Sequence, residues 1–293
     1  MSEHSFMVTK NALLLEYVRE TFPELTNSKS KRMLELGMII VNDEITTRHS
    51  HPLKPGDKIR FSNSPQPRGE KIKARSSLPI LYEDSSLLVI NKPEGLLTIA
   101  TETSKTHNVY YKLTAYVRSK DPKRRARVFI VHRLDRDASG ILVFAKTEKT
   151  KEFLQENWRK FEKKYYAVVE GVPEKPEGTL KSYLVEDKFR RVYSTAKTPE
   201  SKLSITHYKV LENWEKYTLL EISLETGRKN QIRVHLADFG FPIAGDEKYR
   251  AETNPIKRLA LHAFYLSFNH PVTHERKTFT TSVPNLFSKK NFK

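Results

Sequence analysis

The 293-residue chain has no cysteine. Disulfide cross-links, thiolate nucleophiles and cysteine-ligated zinc are thereby excluded. No apolar run reaches the roughly 20 residues needed to span a bilayer. Met1 to Lys10 lack the apolar core of a leader peptide. The glycine-rich phosphate loop, the G-x-G-x-x-G dinucleotide turn, the H-E-x-x-H zinc helix and the G-x-S-x-G nucleophile elbow are all missing. No cofactor and no metal are therefore expected. Acidic residues are scarce too: 35 Asp and Glu stand against 52 Lys and Arg, a formal net charge of +17. Such a balance favours a polyanion, nucleic acid before an anionic membrane. The expectation is a cytoplasmic protein that meets RNA or DNA and no membrane.

What is present falls into two segments. Residues 1–65 hold nine Lys and Arg against eight Asp and Glu, a net of +1, so +16 of the +17 lies in the remainder. Between the two, residues 62–77 carry Pro65, Pro67 and Gly69 among Lys71, Lys73 and Arg75 without apolar periodicity, and read as a linker. In the first segment Leu14, Tyr17, Val18 and Phe22 recur at helical spacing. A second helix starts near Thr26 to Ser28, whose side chains suit an N-cap, and stops at Gly37. Met33 and Leu36 are expected to face the core, with Lys29, Lys31 and Arg32 outside. Met38 to Val41 and Lys58 to Phe61 read as strands, with turns at Asn42 to Glu44 and Lys54 to Asp57.

In the second segment strands are expected over 87–91, 128–131, 141–145, 165–170, 203–211 and 218–224. Helices are expected over 108–118, 149–161 and 230–239. Short turns without regular βα alternation imply an α+β fold with a mixed, mainly antiparallel sheet. The polar stretch His132 to Gly140 lies between the apolar runs Val128 to Val131 and Ile141 to Ala145. It packs two carboxylates and two guanidiniums beside strands that should be buried. Charges near a core must pair or perform chemistry. By spacing alone, a turn held by structural ion pairs is the simpler reading.

Longer segments change that balance. The run HRLDRDASGILVFAKT is very similar to H-R-L-D-x-x-[TS]-S-G-[LI], the signature of the RluA family of pseudouridine synthases. LLVINKPEGL from Leu87, KKYYAVVEG from Lys163, TGRKNQIRVHLADFGFPIAGDEKY from Thr226 and RLALHAFYLSFNHP from Arg258 also agree, in the family's order. The resemblance covers residues 80 to about 285. Before it, the helix–helix–strand order with GMIIVNDE and LKPGDKI resembles the S-four RNA-binding module. The domains implied are an α+β S-four-like module at 1–62, a linker at 63–78 and a catalytic domain at 79–293. Three places depart from the common pattern. Asp137 to Gly140 stand where many members read T-S-G. Thr226 to Gln231 stand where many read T-G-R-T/S-H-Q. Leu97 to Ala100 replace a short polar step.

The resemblance implies isomerisation of uridine in structured RNA, which needs no redox step, metal or nucleotide. Asp135 is its implied nucleophile or stabiliser of a cationic sugar. Arg233 would keep that carboxylate ionised and aimed, and Tyr165, picked out by the pattern K-x-Y-x-A, would stack on the uracil. Tyr166 would then face the other way, as strand alternation requires. The target nucleotide must be flipped out of its stack. His132 and Arg133 are placed to hold phosphate or fill the vacated space. Leu134, Arg228 and Gln231 are further candidate substrate contacts, and Lys29, Lys31 and Arg32 would lie on RNA through the small module. The implied partner is large-subunit ribosomal RNA, with tRNA as the alternative, acted on by a monomer. Two other readings compete: a non-catalytic RNA-binding or ribosome-assembly factor, and a nucleoside hydrolase. A pure binder has no need of Asp135, Tyr165 and Arg233 together, and a small neutral substrate has no need of +17.

Overall fold

A computed structural model describes residues 5–42, 44–62, 78–100 and 106–292. The chain divides into two compact units, one within 1–73 and one within 74–293. The linker read over 63–78 lies outside the described residues except for Leu78, which is buried in the core of the larger unit. Among the described residues no helix is long and apolar enough to cross a membrane.

The smaller unit runs β1 (Ser5–Met7), β2 (Ala12–Leu13), α1 (Leu14–Thr21), α2 (Asn27–Glu35), β3 (Ile39–Val41), β4 (Glu44–Ile45), β5 (Pro52–Leu53) and β6 (Lys58–Phe61). One sheet has the order β1-β6-β3-β4, and β2 pairs with β5. Leu14, Tyr17 and Val18 are the buried residues of α1, as their spacing requires. The Thr26 Oγ1 caps α2 by accepting the Lys29 N–H at 3.3 Å. Gly37, at φ +68°, follows the helix in the left-handed region that ends helices. The buried stripe of α2 is Ser30 and Leu34, four residues apart. Met33 and Leu36, expected from the sequence to be the core-facing pair, are only half-buried. The difference is a rotation of the helix that packs Leu34 against Leu14, Val18, Ile39 and Ile59. Lys29, Lys31 and Arg32 stay exposed.

The larger unit contains β7 (Ile80–Glu83), β8 (Leu87–Lys92), α3 (Val109–Lys120), β9 (Phe129–Ile130), β10 (Ser139–Ala145), α4 (Glu148–Glu156), β11 (Glu162–Glu170), β12 (Glu177–Glu186), β13 (Val192–Thr195), β14 (Lys202–Trp214), β15 (Tyr217–Leu224), α5 (Gln231–Asp238), β16 (Leu261–Asn269) and β17 (Arg276–Thr280). Its eleven-stranded sheet has the order β13-β12-β14-β15-β11-β16-β10-β8-β7, with β17 on β16 and β9 on β10. Among the described strands β10 and β16 alone pair in parallel, and every other pairing is antiparallel. This is the mixed α+β sheet expected. The helix read over 149–161 stops at Glu156, and a short 3-10 turn, Trp158–Lys160, follows.

All seven residues of β10 are buried, which is why this strand reads as a continuous apolar run. At its start Gly140 has φ +117°, and a Cβ there would lie 2.2 Å from the Ala263 carbonyl oxygen of β16. Only glycine permits this close pairing. The polar loop 131–138 is thereby delivered to the sheet at a defined point. Two buried polar groups hold the loop from the other side. The wholly buried Lys92 donates its three ammonium protons to the carbonyls of Pro93 (2.9 Å), Leu96 (2.8 Å) and Arg136 (3.0 Å). A lysine is tolerated in a core when its donors are all bonded. The Thr98 hydroxyl donates to the Leu134 carbonyl at 2.8 Å and accepts the Leu134 N–H at 3.3 Å. Thr98 belongs to the departing segment Leu97 to Ala100, and its role here is to clamp the loop.

Candidate active site

A cavity of about 520 Å³ lies between loop 131–138, β11, the 3-10 turn and the start of α5. That volume is within the range of small-molecule sites, about 300–1,000 Å³. Asp135, Tyr165 and Arg233 all line it, so the fold brings the three together from loop, strand and helix. The Arg233 Nη1–H donates to Asp135 Oδ2 at 2.9 Å. Its Nε–H and Nη2–H donate to the two oxygens of Asp246, each at 2.7 Å. The guanidinium also stacks 4.9 Å above the Tyr249 ring. Burial works against the Arg233 charge; Asp246 and then Asp135 overcome it and raise its pKa above the ordinary arginine value. One face of the guanidinium is thus fixed by a bidentate carboxylate that is itself buried, and the remaining edge is aimed at Asp135.

Tyr165 turns its ring into the cavity, and its hydroxyl has no protein partner among the described residues. Burial, then the nearby Asp135 charge, raises its pKa above that of a free tyrosine. The side chain is therefore a neutral phenol at physiological pH. Tyr166 points away and stacks on Phe264 at 3.8 Å, the opposite-face outcome expected of neighbouring strand residues. A register shift between Lys164 and Tyr165 interrupts the pairing of β11 with β16 at this place.

The other candidate contacts divide. Arg133 is exposed and Arg228 half-buried at the cavity wall, and neither has a carboxylate partner among the described residues. The Arg228 Nε is buried and unbonded. His132 also lines the cavity. Burial, helped by the Lys163 charge, pulls it down to about 3, so the ring is neutral. Its Nε2 accepts the Val143 N–H at 3.2 Å, and it stacks on Trp158 at 4.1 Å. Gln231, also at the cavity, is bonded within the protein. Its Oε1 accepts from the Thr226 hydroxyl (2.8 Å) and the Arg228 N–H (3.0 Å). Its amide donates to the Ile205 carbonyl (3.0 Å) and the Thr206 hydroxyl (2.9 Å). With every lone pair and proton engaged inside the protein, Gln231 shapes the turn before α5. The Leu134 side chain is packed in the core, and its backbone is held by Thr98. Lys29, Lys31 and Arg32 belong to the smaller unit.

Sequence reasoning missed Asn230, Trp158, Lys163, Asp246 and Tyr249 as site residues. Asp246 and Tyr249 sit in the segment PIAGDEKY, whose family-like pattern was the available signal. Trp158 has no such signal. Lys163 is buried beneath Trp158, and its ammonium donates to the Trp158 carbonyl at 2.9 Å. Burial lowers its pKa to about 8.

A family model described as RNA pseudouridylate synthase matches residues 86–238, a span that includes Asp135, Tyr165 and Arg233. The chain is 33% identical over 280 residues to the Bacillus subtilis protein called uncharacterized RNA pseudouridine synthase YlyB, covering 94% of this chain and 91% of that one. It is 33% identical over 285 residues to ribosomal large subunit pseudouridine synthase D of Haemophilus influenzae, covering 92% and 86%. The solved structure of human RNA pseudouridylate synthase domain containing 4 superposes with a TM-score of 0.60 at 25% identity, over 71% of this chain and 90% of that one. The chain therefore belongs to the RNA pseudouridylate synthase family and is an RNA pseudouridine synthase.

Proposed function

We propose that the protein isomerises one or more uridines of large-subunit ribosomal RNA, with Asp135 as nucleophile acting on a flipped-out nucleotide. The observation that carries this reading is the carboxylate of Asp135 at the cavity wall, paired at 2.9 Å with an arginine whose other edge is locked. A guanidinium fixed on its other edge orients the carboxylate that it meets. The Asp135 oxygen bonds to the anomeric carbon as the ribose–nitrogen bond breaks and its electron pair leaves with the uracil, and this bond to oxygen breaks again, its electron pair returning to the carboxylate, when carbon five takes its place. The uracil turns, its carbon five bonds to the same ribose carbon, and the proton on carbon five departs while the freed nitrogen gains one. No atom is gained or lost overall. Tyr165, a neutral phenol, suits stacking on the uracil through this turn. Arg133 and Arg228, without carboxylate partners, suit the backbone phosphates around the extruded nucleotide.

Relatives named for the large ribosomal subunit support ribosomal RNA over tRNA. Mapping pseudouridines in ribosomal RNA and tRNA from cells with and without the gene is the test. Loss of at least one large-subunit site is expected. Loss confined to tRNA overturns the substrate, and an unchanged map overturns the activity in the cell.

The smaller unit reads as an S-four-like module that docks on a second RNA feature through Lys29, Lys31 and Arg32. Two tethered contacts reinforce each other through effective concentration. Changing all three to Gln is expected to lower the salt slope of RNA binding by about two to three. It should also slow modification at low RNA concentration without changing kcat. Unchanged slope and rate show these residues to be a solvated helix face.

A further inference from the structure

Asn230 immediately precedes α5 and has a left-handed backbone, φ +53° and ψ +16°. Asparagine is a favoured helix cap, yet its side chain makes no capping hydrogen bond. It turns into the site instead. With the amide assigned so that its nitrogen faces the carboxylate, that nitrogen lies 2.9 Å from Asp135 Oδ2 and 3.2 Å from Oδ1, and the amide oxygen accepts from the Tyr249 hydroxyl at 2.9 Å. The opposite orientation would set the amide oxygen against the carboxylate, acceptor on acceptor. The Arg233 Nη1–H also reaches Oδ2, at 2.9 Å. Two donors thus converge on one oxygen of Asp135, and the other oxygen has a single longer contact.

We propose that Asn230 is a positioning residue for the nucleophile, pinning Oδ2 of Asp135 and leaving Oδ1 as the oxygen presented to the ribose. The inference rests on the reading of Asp135 given above. The backbone itself restricts which residues can serve. Left-handed φ is tolerated by Gly, Asn, Asp and His far better than by other residues. Glycine has no donor, and aspartate would set a second anion against the first. Asparagine and histidine alone combine that backbone with an N–H for the carboxylate. Tyr249 completes the device: its hydroxyl fixes the orientation of the amide, and its ring lies under the Arg233 guanidinium. Both donors to Oδ2 are therefore held by the same tyrosine.

The test compares Asn230→Gly, Asn230→Asp and Asn230→His with the wild type and with Asp135→Asn, on unmodified large-subunit ribosomal RNA made by transcription. All three substitutions suit the backbone, and melting curves with RNA binding check the fold. Asn230→Gly is expected to lower kcat about 10–100-fold, as loss of an outer hydrogen bond to a reacting ligand does, with KM within about threefold of wild type. Asn230→Asp is expected to be slower still, and its acid limb should move to higher pH. The sign follows from the chemistry: the carboxylate must be ionised to act, and a second anion raises its pKa. Asn230→His is expected to recover to within about threefold of wild type, the mark of a donor role. Wild-type kcat in Asn230→Gly, beside an inactive Asp135→Asn, overturns the inference and leaves the Asp135 reading standing. Asn230→His as slow as Asn230→Gly also overturns it. An active Asp135→Asn overturns both.

Discussion

Asp135→Asn is expected to lower the rate of pseudouridine formation by about 10⁴-fold, roughly 5 kcal/mol in the barrier, with RNA affinity within about threefold of wild type. The substitution keeps the shape of the side chain and removes its charge and nucleophilicity. It should not collapse the site, because Arg233 retains its bidentate partner Asp246, whose side chain is 1% exposed. The loop that carries residue 135 also stays tied through Lys92 to the Arg136 carbonyl and through Thr98 to Leu134. Binding is expected to be retained because the cations proposed to meet RNA are untouched. The measurement pairs single-turnover product formation with filter binding on the same RNA. Product at the wild-type rate from a clean preparation removes Asp135 from the chemistry.

Arg233→Ala is expected to be the most damaging single change, because it acts on stability and turnover together. It leaves the buried Asp246 carboxylate without its cation. Breaking a buried pair by removing one partner costs about 3–5 kcal/mol, which for a domain of this size is a fall in melting temperature of about 10 °C. Turnover should fall at least about 10³-fold, since Asp135 loses the donor that aims it. A second substitution separates the two effects. Arg233→Ala with Asp246→Asn removes the stranded anion, so the melting temperature should largely recover while activity does not. Activity returning with stability would reduce Arg233 to a structural ion pair. Wild-type turnover by Arg233→Ala alone would make it no more than a clamp for phosphate.

Much of the architecture is legible in local pattern. The apolar run of β10 announces a buried strand by itself, and Leu14, Tyr17 and Val18 place α1. The Thr26 cap and Gly37 bracket α2 because capping is decided within a few residues of chain. The rotation of α2 is not legible in the same way, since Met33 and Leu34 are adjacent and only the neighbouring helix and sheet choose between them. Of the short strands of the smaller unit, β3 is legible from the apolar run Met38 to Val41, whereas β1, β2, β4 and β5 are too short for periodicity to register. The sequence marks His132 as a residue that holds phosphate or fills the vacated space, but its charge depends on burial and the proximity of Lys163, which is not adjacent in the chain.

What the amino-acid sequence indicated by itself is the reaction class and the candidate carboxylate proposed above. Absent cysteines and phosphate loops removed whole chemistries, the +17 charge pointed to a polyanion, and the family-like polar loop between two apolar strands singled out Asp135. The tertiary structure alone decided how that carboxylate is held. Arg233 lies 98 positions further along the chain, Asp246 lies thirteen beyond that, and the amide of Asn230 is oriented by a tyrosine on a separate turn. Local propensity and hydrophobic period act over a few residues. The direction of a hydrogen bond and the charge of a buried group are set by whichever atoms the fold brings within about 3 Å, and those come from anywhere in the chain.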